Sequence, residues 1–201
     1  MTEHRLADGT LVTLRPIHPD DRDGLREGFQ RLSAESRHRR FFSGVDALTE
    51  KMVDYLVNVD GVDHVALVAT VPSLDLKAER GVGVARFIRV AGEPDVAEVA
   101  VTVVDEMQRR GLGHLLVKEL TGAARSLGVK KFRGEMLESN DAVRRLMEDE
   151  GVPLAASGHG TLVFDIPIDE PGAKASRLER LLRAAASSIA FFVRNLRPPA
   201  D

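Results

Sequence analysis

An α/β (α+β) fold, with a mixed central sheet flanked by helices, is predicted by three observations. Short β-branched runs alternate along the chain with segments of helical periodicity. The run Asp95–Val104 alternates apolar with small or polar residues and ends in a turn holding two glycines. That turn opens a long amphipathic stretch from Gly111 to Gly128. With 201 residues the chain suits one domain and an appendage, residues 10–168 carrying the alternating elements and 169–201 a linker and a C-terminal amphipathic helix.

The elements follow in order. Residues 10–17 read as a strand, with Pro16 favouring its edge or end. His18-Pro19-Asp20-Asp21 starts a helix that carries Leu25, Phe29 and Leu32 on one stripe. Thr49 caps a second helix to Val59, with Met52, Val53, Leu56 and Val59 inward. Asp63–Val71 is a β-branched strand, residues 72–79 a polar connector, and Gly81–Val90 the next strand. Ala91-Gly92-Glu93-Pro94 turns the chain into the central strand. After the Gly111–Gly128 helix come a buried strand over 130–138, a short helix over 142–150 capped by Ser139-Asn140-Asp141, and a last strand over 161–168. In the tail, Leu178, Leu181, Leu182, Ala185, Ile189 and Phe192 recur at helical spacing among arginines. This helix is expected to pack on its own domain or on a second copy, which makes a homo-oligomer possible; a membrane-surface role ranks below that.

Composition excludes several function classes. At 43% hydrophobic and 29% charged the chain can form a core and remain soluble. A net charge of -3 does not indicate a general nucleic-acid surface. There is no cysteine, hence no disulfide, thiolate zinc site or Cys nucleophile, and a reducing, cytoplasmic setting is expected. The polar start has no signal-like apolar region, and no run approaches the ~18 apolar residues of a spanning helix. The six histidines have no metal spacing, so no metal is expected, and no G-x-S-x-G elbow is present.

The strand, glycine turn and helix entry over 95–128 point backbone N–H groups at one anion. Helix dipole and glycine both favour a closely held phosphate, so the stretch reads as a diphosphate cradle. A P-loop needs a Lys and hydroxyl pair that is absent here, and a dinucleotide fingerprint needs a third glycine where Leu116 stands. What remains is Gln108-Arg109-Arg110-Gly111-Leu112-Gly113, which matches Q/R-x-x-G-x-G/A. By this motif and its flanking strand and helix, residues 10–168 resemble the GNAT superfamily of N-acyltransferases. The pattern Leu32-Ser33-Ala34-Glu35-Ser36-Arg37-His38-Arg39-Arg40-Phe41-Phe42 is similar to the same region in a bacterial subgroup containing protein lysine acetyltransferases. Read without the resemblance, this segment is a solvated basic turn beside an aromatic pair.

The resemblance implies coenzyme A held by the 108–113 amides, with Arg109 and Arg110 adding charge near the 3′-phosphate. It also implies a contact from Asn140, which can equally be a plain helix cap. By alternation, Val99, Val101 and Val103 form core, while Glu98, Ala100 and Thr102 face the other side. The extended pantetheine arm can then pair with the backbone of Ala100, Val101 and Thr102 like an added strand.

An amine of pKa about 10.4 must lose a proton before it attacks a thioester. Glu98 is the candidate base, acting directly or through water; the alternative is an ion pair with Arg86 or Arg89. Relatives of the resembled family commonly carry Tyr and Phe where this chain has Met147 and Val152, which leaves the general acid open; the only tyrosine, Tyr55, is distant in sequence.

The expectation is direct acyl transfer from acetyl-CoA to a primary amine, with a protein lysine as the acceptor implied by resemblance. Direct attack follows because no Cys or activated Ser can carry an acyl intermediate. The alternatives are a small-molecule amine acetyltransferase and a non-catalytic acyl-CoA sensor.

Overall fold

The structure, a computed structural model, describes residues 1–41, 46–73, 79–158 and 160–168. The expected linker and C-terminal helix over 169–201 lie outside the described residues, as does most of the 72–79 connector. Eight strands form one sheet: β1 (Thr2–Arg5), β2 (Leu11–Pro16), β3 (His64–Pro72), β4 (Glu79–Val90), β5 (Glu93–Val103), β6 (Lys131–Leu137), β7 (Ala155–Gly158) and β8 (Thr161–Pro167), in the order β1-β2-β3-β4-β5-β6-β8-β7. All neighbours are antiparallel except β5 and β6. A parallel pair needs a crossover, and helix α4 (Leu112–Ser126) supplies it.

The helices preceding it are α1 (Arg22–Gln30), α2 (Ala34–Phe41) and α3 (Glu50–Val57), and α5 (Asp141–Asp149) follows β6. The caps expected from sequence are present. Thr49 accepts from Met52 N at 3.3 Å, and Asn140 accepts from Val143 N at 3.4 Å. The His18 start is a 3₁₀ turn, Pro19–Asp21, in which Asp21 accepts from His18 N at 2.7 Å and His18 from Asp20 N at 3.3 Å. Gly111 (φ +91°) and Gly128 (φ +81°) bound α4 in the left-handed region that suits glycine.

Two strands escaped the sequence reading. β1 is a largely exposed edge strand, so its residues need no apolar alternation. β7 is Ala-Ala-Ser-Gly, too small and polar to announce itself.

Cross-strand register defines two faces. Val99, Val101 and Val103 are buried, and together with Phe87, Phe132 and the Leu112, Leu116, Leu120 and Ala124 stripe of α4 they belong to the main core. Gly83 lets α4 approach the sheet: a Cβ there would lie 2.9 Å from Leu116 Cδ1 and 3.2 Å from the Thr102 carbonyl oxygen. Gly83→Val is therefore expected to lower stability by about 1–3 kcal/mol, read by chemical denaturation. The opposite face, bearing Glu98, Ala100 and Thr102, looks toward α1 and α3.

Candidate active site

The parallel pairing of β5 and β6 is short. It runs only from Val96↔Lys131 to Glu98↔Arg133. Beyond it β6 continues to pair with β8, and β5 with β4 as far as Val103↔Gly83. Among the described residues, the β6-facing edge of β5 past Glu98 therefore has no strand beside it. Unpaired strand edges recruit extended partners. Ala100 and Val101 are 1% and 5% exposed and Thr102 is partly buried, so this edge runs through the interior.

The open edge leads into a 3₁₀ turn, Asp105–Met107, and then into α4. Leu115 N donates to Gly111 O at 3.0 Å, which begins the helical ladder. The N–H groups of Leu112, Gly113 and His114 thus stand ahead of it without acceptors inside the helix. No side chain caps Gly111, and the first turn holds no acidic residue. Such an end favours an anion by both hydrogen bonding and dipole.

Gln108 serves the loop from within. Its N–H donates to Asp105 O at 3.2 Å, and its side-chain amide to Val103 O at 3.1 Å, Asp105 at 3.1 Å and Ser36 Oγ at 3.4 Å. Ser33 N also donates to Asp105, at 3.2 Å. The start of α2, in the basic segment singled out from sequence, is therefore moored to this loop. Arg109 takes a left-handed φ of 59°, and Arg110 donates to Asp8 at 3.1 Å from the β1–β2 turn.

Glu98 stands at the apex where β5 and β6 part, and one of its carboxylate oxygens is shielded from solvent. Neither arginine considered as its partner is taken up by it in an ion pair. Arg89 donates to Asp63 at 2.8 Å, to Leu127 O at 3.0 Å and to Pro94 O. Arg86, 2% exposed, donates through Nη1 to Leu56 O at 3.2 Å and meets His64 Nε2 at 3.1 Å. Burial pulls the Arg86 guanidinium down to about 10, which leaves it charged at neutral pH.

His64 must offer Arg86 a lone pair, and burial, reinforced by the Arg86 charge, lowers its pKa to about 4. Its ring centroid lies 5.1 Å from that of Tyr55 on α3. Burial raises the Tyr55 phenol; Arg86 opposes that rise and the Glu98 carboxylate adds to it. Tyr55 is thus a neutral donor in the electrostatic neighbourhood of Glu98, though the two stand 43 positions apart in the chain. Sequence spacing could not show this; the signal was only that the chain has one tyrosine.

The histidine has a consequence for stability. Its folded pKa lies below its unfolded value, so the unfolded chain binds the extra proton as pH falls from about 6.5 toward about 4. Stability is expected to drop across that window, and His64→Asn to flatten the drop, in denaturation series at fixed ionic strength.

Other residues fall where the sequence left alternatives open. Asn140 is a helix cap. Met147 is fully buried in the hydrophobic core. Sequence reading missed Glu135. It is 7% exposed, lies on the Glu98 side of β6 two residues past the last paired row, and accepts from Thr161 Oγ1. Among the described residues no cluster of metal-ligating groups occurs, and no helix is long and apolar enough to cross a membrane.

Comparison with known proteins identifies the family. The family model described as acetyltransferase (GNAT) domain matches residues 12–152. Acetyltransferase Pat of Mycolicibacterium smegmatis is 33% identical over 160 residues, which are 80% of this chain and 46% of that protein. Acetyltransferase PA5475 of Pseudomonas aeruginosa is 33% identical over 144 residues, 72% of this chain and 74% of that protein. The chain thus spans under half the length of the first of these relatives and about three quarters of the second. The GNAT domain of S. lividans PAT superposes with a TM-score of 0.70 at 29% identity, covering 83% of this chain and 96% of that one. The chain belongs to the acetyltransferase (GNAT) domain family, whose members move an acyl group from acyl-CoA to an acceptor.

Proposed function

We propose that this chain transfers an acetyl group from acetyl-CoA to a primary amine, with a protein lysine as the acceptor and Glu98 as the general base. The carrying observation is that the edge of β5 beyond its pairing with β6 leads from Glu98 to the N–H groups that open α4 ahead of its helical ladder. Coenzyme A is long enough to use both. Its diphosphate rests on Leu112, Gly113 and His114, with Gly111 shaping the turn, Arg109 and Arg110 adding charge, and Gln108 bracing the loop. Its pantetheine arm pairs along Ala100, Val101 and Thr102, and Asn140 borders the cofactor from α5. The thioester then lies beside Glu98.

Glu98 takes the ammonium proton, directly or through water, and the amine nitrogen attacks the thioester carbon. The new N–C bond forms, the C–S bond breaks, and the departing thiolate takes a proton from water or from Tyr55, which is neutral and near Glu98; the second proton, shed by the acylated nitrogen, restores that donor. The lysine reading is supported by the match to Acetyltransferase Pat and by the mooring of α2, which carries most of the 32–42 pattern, against the coenzyme loop. A cytoplasmic location suits this chemistry.

The test is release of free thiol from acetyl-CoA, run with a panel of lysine-bearing proteins and, separately, with polyamines. Thiol release that requires a protein and yields acetyl-lysine in it is the expected result. Release with polyamines alone would move the acceptor to small amines. The buried Met147 favours one further reading, a sensor that binds acyl-CoA without turnover; saturable binding with no thiol release from any acceptor is its signature.

A further inference from the structure

A cavity of about 190 Å³ lies between α1 and the Glu98 face of the sheet. Val84, Ala100 and Thr102 are among its sheet-side residues, and Gly24 and Gly28 line it from α1. A Cβ on either glycine would meet no atom within 4 Å. Glycine in a helix interior opposes helix formation, and two of them one turn apart on the cavity side leave room there. The second observation is independent. Arg86 lines the same cavity, is 2% exposed, and makes no ion pair with any described carboxylate. Among the described residues its bonds, to Leu56 O and His64, use only Nη1 of a five-donor group. The cavity's other arginine, Arg15, is neutralised by Asp21 at 2.7 Å and Glu79 at 3.3 Å. Asp20 also lines the cavity but its side chain is largely exposed, so the carboxylates gather at the Arg15 end and Arg86 is the lining cation without a carboxylate partner among the described residues. At the Arg86 end the cavity suits a carboxylate rather than a lysine ammonium.

Position relates the cavity to the thioester. Arg86 pairs across the sheet with Ala100, two residues beyond Glu98. Ala100 is too small to wall off the cavity from the open β5 edge. An acetyl group beside Glu98 ends there. An acyl chain longer by two or three atoms crosses one strand spacing, roughly 4.8 Å, and arrives over Arg86. We propose that this cavity receives the tail of an acyl donor longer than acetyl, a short chain ending in a carboxylate that pairs with Arg86, as in succinyl-CoA. The inference rests on the coenzyme placement above. Transfer is unchanged in its balance: the N–C bond forms, the C–S bond breaks, the amine proton goes to Glu98, and the terminal carboxylate is a spectator. The product amide carries a negative charge where the ammonium carried a positive one.

The test compares the dissociation constants of succinyl-CoA, butyryl-CoA, acetyl-CoA and free coenzyme A by calorimetry on the full chain. Butyryl and succinyl match in carbon count and differ in the terminal carboxylate. Succinyl-CoA is expected to bind about tenfold or more tighter than butyryl-CoA, the scale of one charge-assisted bond. That ratio should collapse toward one in Arg86→Met. Gly28→Leu, which fills the cavity, should weaken both four-carbon donors relative to acetyl-CoA, and its folding is checked by thermal unfolding. Equal affinities for succinyl- and butyryl-CoA, or a preference that survives Arg86→Met, overturns the inference while leaving the coenzyme site standing. Failure of free coenzyme A itself to bind removes the placement on which both depend.

Discussion

Glu98→Gln is expected to lower kcat about 100-fold to 10,000-fold, the usual share of a positioned base. Gln keeps the shape of Glu and cannot accept the ammonium proton. In the proposed placement the diphosphate lies past the turn after Val103, so coenzyme affinity should stay within a few-fold of the parent. Thermal unfolding should also be little changed, because the residue lies at a strand junction and outside the main core. A second readout separates base from scaffold. The acceptor amine ionises near pH 10.4, so raising the pH supplies free amine without the protein's help. The deficit of the Gln variant should then narrow between pH 8 and pH 10. A variant with full turnover at neutral pH would remove Glu98 from the mechanism, and Tyr55→Phe would become the next substitution to measure.

Gly113→Trp is expected to raise the dissociation constant for coenzyme A by about two orders of magnitude, the loss of one or two charge-assisted hydrogen bonds. Gly113 lies in the first turn of α4 and has an ordinary helical φ, so a side chain there can fold but intrudes on the anion's approach. Gly111→Val is the contrasting case. With φ at +91°, a β-branched residue strains the backbone by about 1–3 kcal/mol, so stability and affinity fall together. Ligand-induced stabilisation distinguishes them. At a hundredfold excess over the parent's dissociation constant, coenzyme A should stabilise the parent by about 2.7 kcal/mol and Gly113→Trp hardly at all. Unaltered affinity in Gly113→Trp would place the diphosphate elsewhere.

The substitutions bear on one piece of architecture, a strand whose partner leaves it halfway. That device puts backbone donors and acceptors inside the protein without satisfying them by the sheet, which is costly unless a ligand or water takes their place. Ala100 lies both on this stretch of β5 and in the lining of the cavity under α1. Ser33 and Ser36 moor the start of α2 to the loop between β5 and α4.

Local features were legible because they obey local rules. The Thr49 and Asn140 caps, the glycines bounding α4, and the alternation of β5 each depend on residues within a few positions of one another. The six-residue loop motif and its flanking elements identified the family from sequence, and the comparisons agree. Polar edge strands such as β1 were not legible, since solvent-facing pairing leaves no hydrophobic period. Only tertiary structure could end the β5–β6 pairing at Glu98, since that depends on where two strands separated by α4 diverge. It alone brought Tyr55, His64 and Arg86 to the Glu98 end of the sheet, sent Met147 into the core and, among the described residues, left Arg86 beside a cavity without a carboxylate partner. Those outcomes depend on which side chains from distant segments meet when the sheet is assembled, and no period or spacing along the chain encodes such meetings.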